Sequence, residues 1–221
     1  DTDLKATEAA RIMFENGTDV YKITNLLSAG LLGIEKNRKV VPTRWAITAT
    51  DDMLCSSYKA EVLRCPALPE YEVFCDTLHG NTLCFILIPS NDWRFEMIER
   101  WQKKSLWADD EETIIVDGEK GKTKREYSPI GGAYYAARLA VLEYLYSRKA
   151  CARVICIRDI SGEYWAPLGV WVIREASHAA LAKNPNRFGT LSEAVTAAST
   201  ALDTSFWISR MGLLRDIRQQ K

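Results

Sequence analysis

Two β-rich runs, Tyr71 to Leu78 and Thr82 to Ile88, are separated only by His79-Gly80-Asn81, and Pro89 closes the second. Runs dense in β-branched and aromatic residues, joined by so short a glycine-containing turn, have one compact solution, an antiparallel hairpin. A lone hairpin is marginal in water, so further strands and helical cover must come from elsewhere in the chain. Cys151 to Asp159 supplies a buried-type strand that turns at Ser161-Gly162, and Gly131 to Arg148 supplies an Ala- and Leu-rich helix opened by two glycines.

The rest of the pattern is mainly helical. Thr2 to Asn16 reads as an amphipathic helix capped at Thr2 or Asp3 and stopped by Gly17, and Asp19 caps a second that ends at Gly30. Val40 to Asp52 shows the β-branching of a strand broken at Pro42, and Met53 to Arg64 reads as a helix. Asn91 or Asp92 would cap a helix to Gln102 with Trp93, Met97, Ile98 and Trp101 on one face. Gly169 to Ile173 is a strand or the entry to a helix through Ala182. Leu191 to Leu202 is a helix capped by Thr190 or Ser192, and Phe206 to Arg218 is a basic helix. No regular strand–helix–strand alternation runs through this order, so the fold class is α+β (mixed α/β), with helices packed around a small mixed or antiparallel sheet.

The organisation has three parts within one compact unit: 1–104, a helical start with strand and hairpin; 105–128, a charged excursion; and 129–221, rich in helix. The excursion is acidic at Asp109 to Glu112, β-prone at Ile114 to Val116, then basic at Lys120, Lys122, Lys124 and Arg125. It reads as a solvated hairpin or loop, with a phosphate-gripping arm as the competing reading. Lys+Arg and Asp+Glu number 29 each, which removes the simplest argument for general nucleic-acid binding, a strongly basic domain. Apolar runs such as Thr82 to Pro89 fall well short of the roughly 20 residues of a membrane span, so no membrane partner is expected. The six cysteines lack a close Cys-x-x-Cys pair and read as buried thiols of a reducing cytoplasm, the spacing of the first four bringing them onto neighbouring elements. Asp1 in place of an initiator Met suggests a piece of a longer protein.

Two polar segments are candidates for chemistry. In the first, Thr43, Arg44 and Thr48 would suit a phosphate, because a guanidinium fork makes paired hydrogen bonds without losing its charge. Asp51 and Asp52 would hold Mg²⁺ there, and the competing reading makes Asp52 a helix cap paired with Arg44. In the second, Gly131 and Gly132 expose backbone N–H groups at a helix entry, Tyr134 stacks on a base or packs inward, and Arg138 adds charge. Close packing of this helix on a neighbour explains the glycines equally well. Lys122, Lys124 and Arg125 are the candidate phosphate contacts of the excursion. Neither a Walker loop nor a dinucleotide fingerprint is present, and His79 and His178 have no visible catalytic partners.

Three long segments carry a specific resemblance: Gly33-Ile-Glu-Lys-Asn-Arg-Lys-Val-Val-Pro-Thr-Arg-Trp45 through Asp51-Asp52, Gly131-Gly-Ala-Tyr-Tyr-Ala-Ala-Arg-Leu-Ala-Val-Leu-Glu-Tyr-Leu145, and Pro167-Leu-Gly-Val-Trp-Val-Ile-Arg-Glu175. With them the chain resembles the archaeal Nre family of DNA-repair proteins. The resemblance implies an archaeal, cytoplasmic protein with DNA as a partner, a zinc-binding cysteine segment lying N-terminal to this chain, and a C-terminal peptide that binds the sliding clamp PCNA. Gln219 or Gln220 would begin that peptide, whose hydrophobic anchors are not in this sequence. Three functions follow: a DNA- or nucleotide-phosphate-binding repair factor, a metal-dependent enzyme on nucleotides or nucleic-acid ends, and a non-catalytic clamp-associated adaptor.

Overall fold

The hairpin forms where the sequence puts it. β1 (Tyr71–Leu78) and β2 (Asn81–Pro89) pair antiparallel with Phe74 opposite Phe85. His79 and Gly80 form the two-residue turn, both with positive φ (47° and 71°), the conformation whose twist matches the flanking strands. Any side chain at position 80 would meet the Tyr164 backbone nitrogen at 2.6 Å. The computed structural model describes residues 3–121, 124 and 126–219, the side chains of 218 and 219 apart.

Around this hairpin grows a sheet of six strands among the described residues, in the order β4-β3-β5-β2-β1-β6. β5 (Ala152–Ile160) lies antiparallel to β2, and β3 (Arg94–Trp101) lies parallel to β5. β4 (Thr113–Lys120) and β6 (Asn186–Phe188) form the edges. The inner strands are apolar on both faces, so the sheet must be covered twice. Phe95, Met97, Leu83, Phe85, Val154 and Cys156 point into one core, beneath α1 (Ala6–Glu15), α2 (Val20–Ser28), α3 (Thr43–Val62), α4 (Gly132–Ser147) and α5 (Val170–Leu181). Ile98, Cys84, Ile86, Ile155 and Ile157 point into the other, beneath α6 (Leu191–Ala201), a 3₁₀ turn at Thr204–Phe206, and α7 (Gly212–Gln219). The α+β class is seen as helices on both sides of one mixed sheet.

Several local expectations are corrected. Val40 to Asp52 is not a strand: from Thr43 it is the first half of α3, with Pro42 as its N-cap residue. The fixed φ of proline suits a helix start, and the buried series Ala46, Thr50, Leu54 and Val62 follows helical spacing, so packing overrides the β-branched composition. Asn91 to Gln102 is not a helix: its aromatic stripe is the alternation of β3, in which Phe95, Met97 and Trp101 share a core with Trp93 just before the strand. The excursion contains β4, a full strand of the sheet, instead of a solvated loop. Cys75 and Cys84, opposite each other in the hairpin with Cα atoms 4.2 Å apart, are joined as a disulfide where thiols were expected, while Cys55, Cys151 and Cys156 are buried free thiols. Of the two readings of Gly169 to Ile173, the helix entry holds: Gly169 is the N-cap of α5 and Ala182 its C-cap. The first helix starts after Lys5, without a side-chain cap.

Two contacts set the site described below. Gly132, the first residue of α4, lies against Val170, the first residue of α5, so closely that a Cβ would overlap Val170 Cγ2. α4 in turn packs along α3. Elsewhere an alanine in a helix is more favourable than glycine by up to about 1 kcal/mol. Here Gly132→Ala is expected to destabilise the fold by about 1–3 kcal/mol in urea unfolding, and Val170→Ala in the same chain to recover part of the loss.

Candidate functional site

Because residues 43–52 are helical, their side chains are sorted with a period near four. Arg44, Thr48 and Asp52 lie on successive turns of α3, with Trp45 and Ala49 beside them. This face, together with Tyr127 and Tyr135, lines an open cleft of about 650 Å³. Two of its aromatic side chains are exposed, Trp45 at 59% and Tyr127 at 64%. The Arg44 guanidinium lies 5.6 Å from the Trp45 ring centre and makes no ion pair among the described residues. Tyr135 is buried, its hydroxyl accepting from the Ser128 N–H at 3.1 Å, with its ring 5.5 Å from that of Tyr127.

Behind the cleft is a chain of buried charges. Asp52 accepts from Arg138 of α4, and Arg138 donates also to Glu119 of β4. Glu119 accepts in addition from Lys59 Nζ at 2.9 Å and from the Trp93 indole at 2.7 Å. Arg138, Glu119 and Lys59 are all buried, whereas the Asp52 side chain is 53% exposed and forms the wet end of the network. Burial works to raise the Glu119 carboxyl, and Arg138 and Lys59 more than offset it, so its pKa falls below the ordinary glutamate value. Burial disfavours the charged Arg138, but the surrounding acidic groups reverse that effect and its pKa is raised.

The structure divides the sequence candidates. Arg44, Thr48 and Asp52 come together in the cleft, while Thr43 lies outside its lining and faces Ser28 at 3.3 Å. Gly131 is the N-cap of α4 at φ 71°, and its N–H donates to the Ser128 carbonyl at 2.9 Å. Gly132 serves the packing against α5. Tyr134 packs inward, fully buried, and Arg138 is taken up by Asp52 and Glu119. Lys124 pairs with Asp117 at 2.7 Å and sits 4.9 Å from the Tyr134 ring centre. Lys122, Arg125 and Gln220 lie outside the described residues, and Gln219 closes α7. The Asp52 carboxylate is paired with Arg138 in place of the expected Arg44.

Asp51 and Asp52 do not converge on a metal. Asp51 is fully buried and held by both terminal nitrogens of Arg174, at 2.7 and 3.0 Å, on a different side of α3 from the cleft. Among the described residues no group of three or more His, Cys, Asp or Glu is placed to hold a metal ion. The expected Mg²⁺ pair therefore does not fit this geometry. A smaller cleft of about 340 Å³ between α2, α4 and α5 is lined by Tyr21, Arg174 and a His178–Glu143 pair at 2.9 Å.

Models of two consecutive parts of one family match almost the whole chain: archaeal Nre, N-terminal, over residues 1–108, and archaeal Nre, C-terminal, over residues 119–221. The chain belongs to the archaeal Nre family. It is 41% identical over 93% of its length to DNA repair protein NreA of Archaeoglobus fulgidus, and 36% identical over 100% to DNA repair protein NreB of that organism. DNA repair protein NreA of Haloferax volcanii is 39% identical over 80% of the chain. These alignments cover 52%, 56% and 43% of the relatives, so the chain spans about half the length of these Nre proteins. No solved structure matches it.

Trp45, Tyr127 and Glu119 were not singled out by sequence as site residues, although helical spacing from Arg44 would have placed Trp45 on the rim. Truncating Glu119 leaves Arg138 and Lys59 buried without their carboxylate. Glu119→Ala is expected to lose about 3–5 kcal/mol of stability in denaturant titration, and Glu119→Gln less. Because the folded pKa is depressed, this contribution is complete above the ordinary glutamate range and is lost as pH falls through the folded value. Stability measured against pH should therefore fall less steeply on the acid side in Glu119→Gln than in the parent.

Proposed function

We propose that this chain is the nucleic-acid-binding part of a cytoplasmic DNA-repair protein, and that the cleft along α3 receives a DNA strand whose phosphate lies on Arg44. The observation that carries the reading is the joint presence, on one open face, of an arginine with no ion-pair partner among the described residues and two exposed aromatic rings. Arginine suits phosphate because its charge does not titrate and its planar fork meets two oxygens at once. An exposed aromatic ring is useful to nucleic acid only where a base is out of its duplex stack, and each such stacking contact is worth about 1–3 kcal/mol. The zero net charge of the chain accords with local contacts of this kind in preference to a broad electrostatic grip on duplex DNA. Thr48 adds a hydroxyl at the cleft wall. That the NreA and NreB relatives are DNA repair proteins supports the repair context.

Recruitment to the sliding clamp PCNA through a peptide opening at Gln219 or Gln220 is the second part of this proposal and rests on the family resemblance. A zinc-binding segment on the N-terminal side rests on the same ground. A metal-dependent reaction at Asp51 and Asp52 is not favoured, because the two carboxylates do not converge: Asp51 is buried with both oxygens on Arg174, while Asp52 meets Arg138 at the cleft.

The test is binding of a labelled single-stranded oligonucleotide, followed by anisotropy at several salt concentrations. Arg44→Ala should weaken binding about tenfold at low salt and reduce the slope of log K against log salt by about 0.7, the value for one phosphate contact on a single strand. Trp45→Ala should weaken binding by about 1–3 kcal/mol with little change in slope. Folded variants that bind like the parent at every salt concentration would overturn the proposal.

A further inference from the structure

Asp52 is the one feature of the cleft that a phosphate site does not explain. Its carboxylate lies on the same helical face as Arg44, two turns along, and half of its side chain is exposed to the cleft. A phosphate placed there would be repelled. A carboxylate accepts and never donates while ionised, so the ligand group that meets Asp52 must carry N–H or O–H donors. The direction of the carboxylate is fixed from behind: Arg138 holds one oxygen, and Glu119, with Lys59 and Trp93, holds Arg138. Each carboxylate oxygen has two acceptor sites, so the bond from Arg138 leaves both oxygens able to accept from a ligand.

The cleft therefore combines three chemical features: a cation at Arg44, aromatic faces at Trp45 and Tyr127, and, two turns of α3 beyond Arg44, an acceptor pair at Asp52. A nucleotide has the same three parts in its phosphate, its base plane and its base edge. Among the four DNA bases only guanine offers two adjacent donors, N1–H and the N2 amino group, on its Watson–Crick edge. Adenine and cytosine offer one amino group beside an acceptor, and thymine offers one N–H between two carbonyl oxygens that would face the carboxylate. We propose that the α3 cleft reads a single unstacked guanine, with Asp52 accepting from its N1–H and N2 amino groups. This rests on the reading of the cleft as a DNA site given above. Arg138 is then a positioning residue, because it acts on the base only through the direction it gives Asp52.

The test varies the ligand before the protein. The full chain is titrated with oligo-dT strands that carry one central dG, deoxyinosine, 7-deaza-dG, dA or dC, with the unsubstituted oligo-dT as reference. The strand with dG should bind about tenfold more tightly than oligo-dT, in line with a good bidentate base contact. The 7-deaza-dG strand keeps the two donors and should match dG, whereas deoxyinosine lacks the N2 amino group and should lose most of the gain. In Asp52→Asn, checked for folding by circular dichroism, the ratio of dG to oligo-dT affinity should fall to about one. Equal affinity for all the strands in the parent chain, with Trp45 and Arg44 still required, would overturn the guanine assignment and leave the DNA site standing. A dG preference that survives in Asp52→Asn, or one equally strong for deoxyinosine, would also overturn it. Loss of all cleft-dependent binding would instead count against the function proposed for the cleft itself.

Discussion

The ion network of Asp52, Arg138, Glu119 and Lys59 ties together the parts that form the cleft. It joins α3, α4 and the edge strand β4, three elements from distant parts of the sequence, through side chains that are almost wholly buried except at Asp52. Buried charges are unfavourable unless each is paired, so the network is satisfied only when all three elements are docked in one arrangement. Its value is positional as much as energetic. It holds the Arg44–Asp52 face of α3 beside α4, whose Tyr135 lines the same cleft.

The rest of the topology serves this placement. Two-sided burial of β2, β3 and β5 forces helices onto both faces of the sheet, and the five helices on one face form a layer in which α4 is central, with α3 and α5 against it. Gly132 lets α4 and α5 meet without an intervening side chain. On the opposite face Glu96 of β3 accepts from the Gly212 and Leu213 N–H groups at 2.8 and 2.7 Å, a carboxylate cap that anchors the start of α7 to the sheet. An ion pair between Arg94 and Asp216 adds a second tie one turn further along α7.

Much of the fold was legible in the sequence where local pattern and tertiary role agree. The hairpin, the long α4 helix, the β5 strand and the Thr190 cap, which forms a full capping box with Glu193, all belong to this group. The misread segments are those where one composition suits two periods. The Thr- and Ile-containing stretch of 43–50 is rich in β-branched residues, yet its alanines and threonines pack as a helix against α4. Trp93, Met97 and Trp101 fit a helical stripe, and the strand becomes evident only when Phe95 is counted with them. The site was legible as a set of residue types and misread as a geometry. Arg44, Thr48 and Asp52 were chosen as if on a strand, which would spread them over about 26 Å, while the helix stacks all three on successive turns within about 12 Å and brings in Trp45. Arg138, expected to face a ligand, is instead buried behind the cleft, because its partner Glu119 sits in a segment whose charge pattern reads as a surface loop, and of the two readings of Tyr134 the inward-packed one holds.

In the function proposed for this chain, the α3 face is where one unstacked nucleotide of a DNA strand rests, oriented by charge at one end and by a fixed carboxylate at the other. Amide and indole chemical shifts of the ¹⁵N-labelled chain, followed during titration with a short single-stranded oligonucleotide, report on this directly. The Trp45 indole and the amides of Arg44, Thr48 and Asp52 should move and saturate together, while the Trp207 indole, buried on the far side of the sheet, should stay in place. Saturable shifts confined to α6 and α7, with residues 44–52 unmoved, would contradict the account.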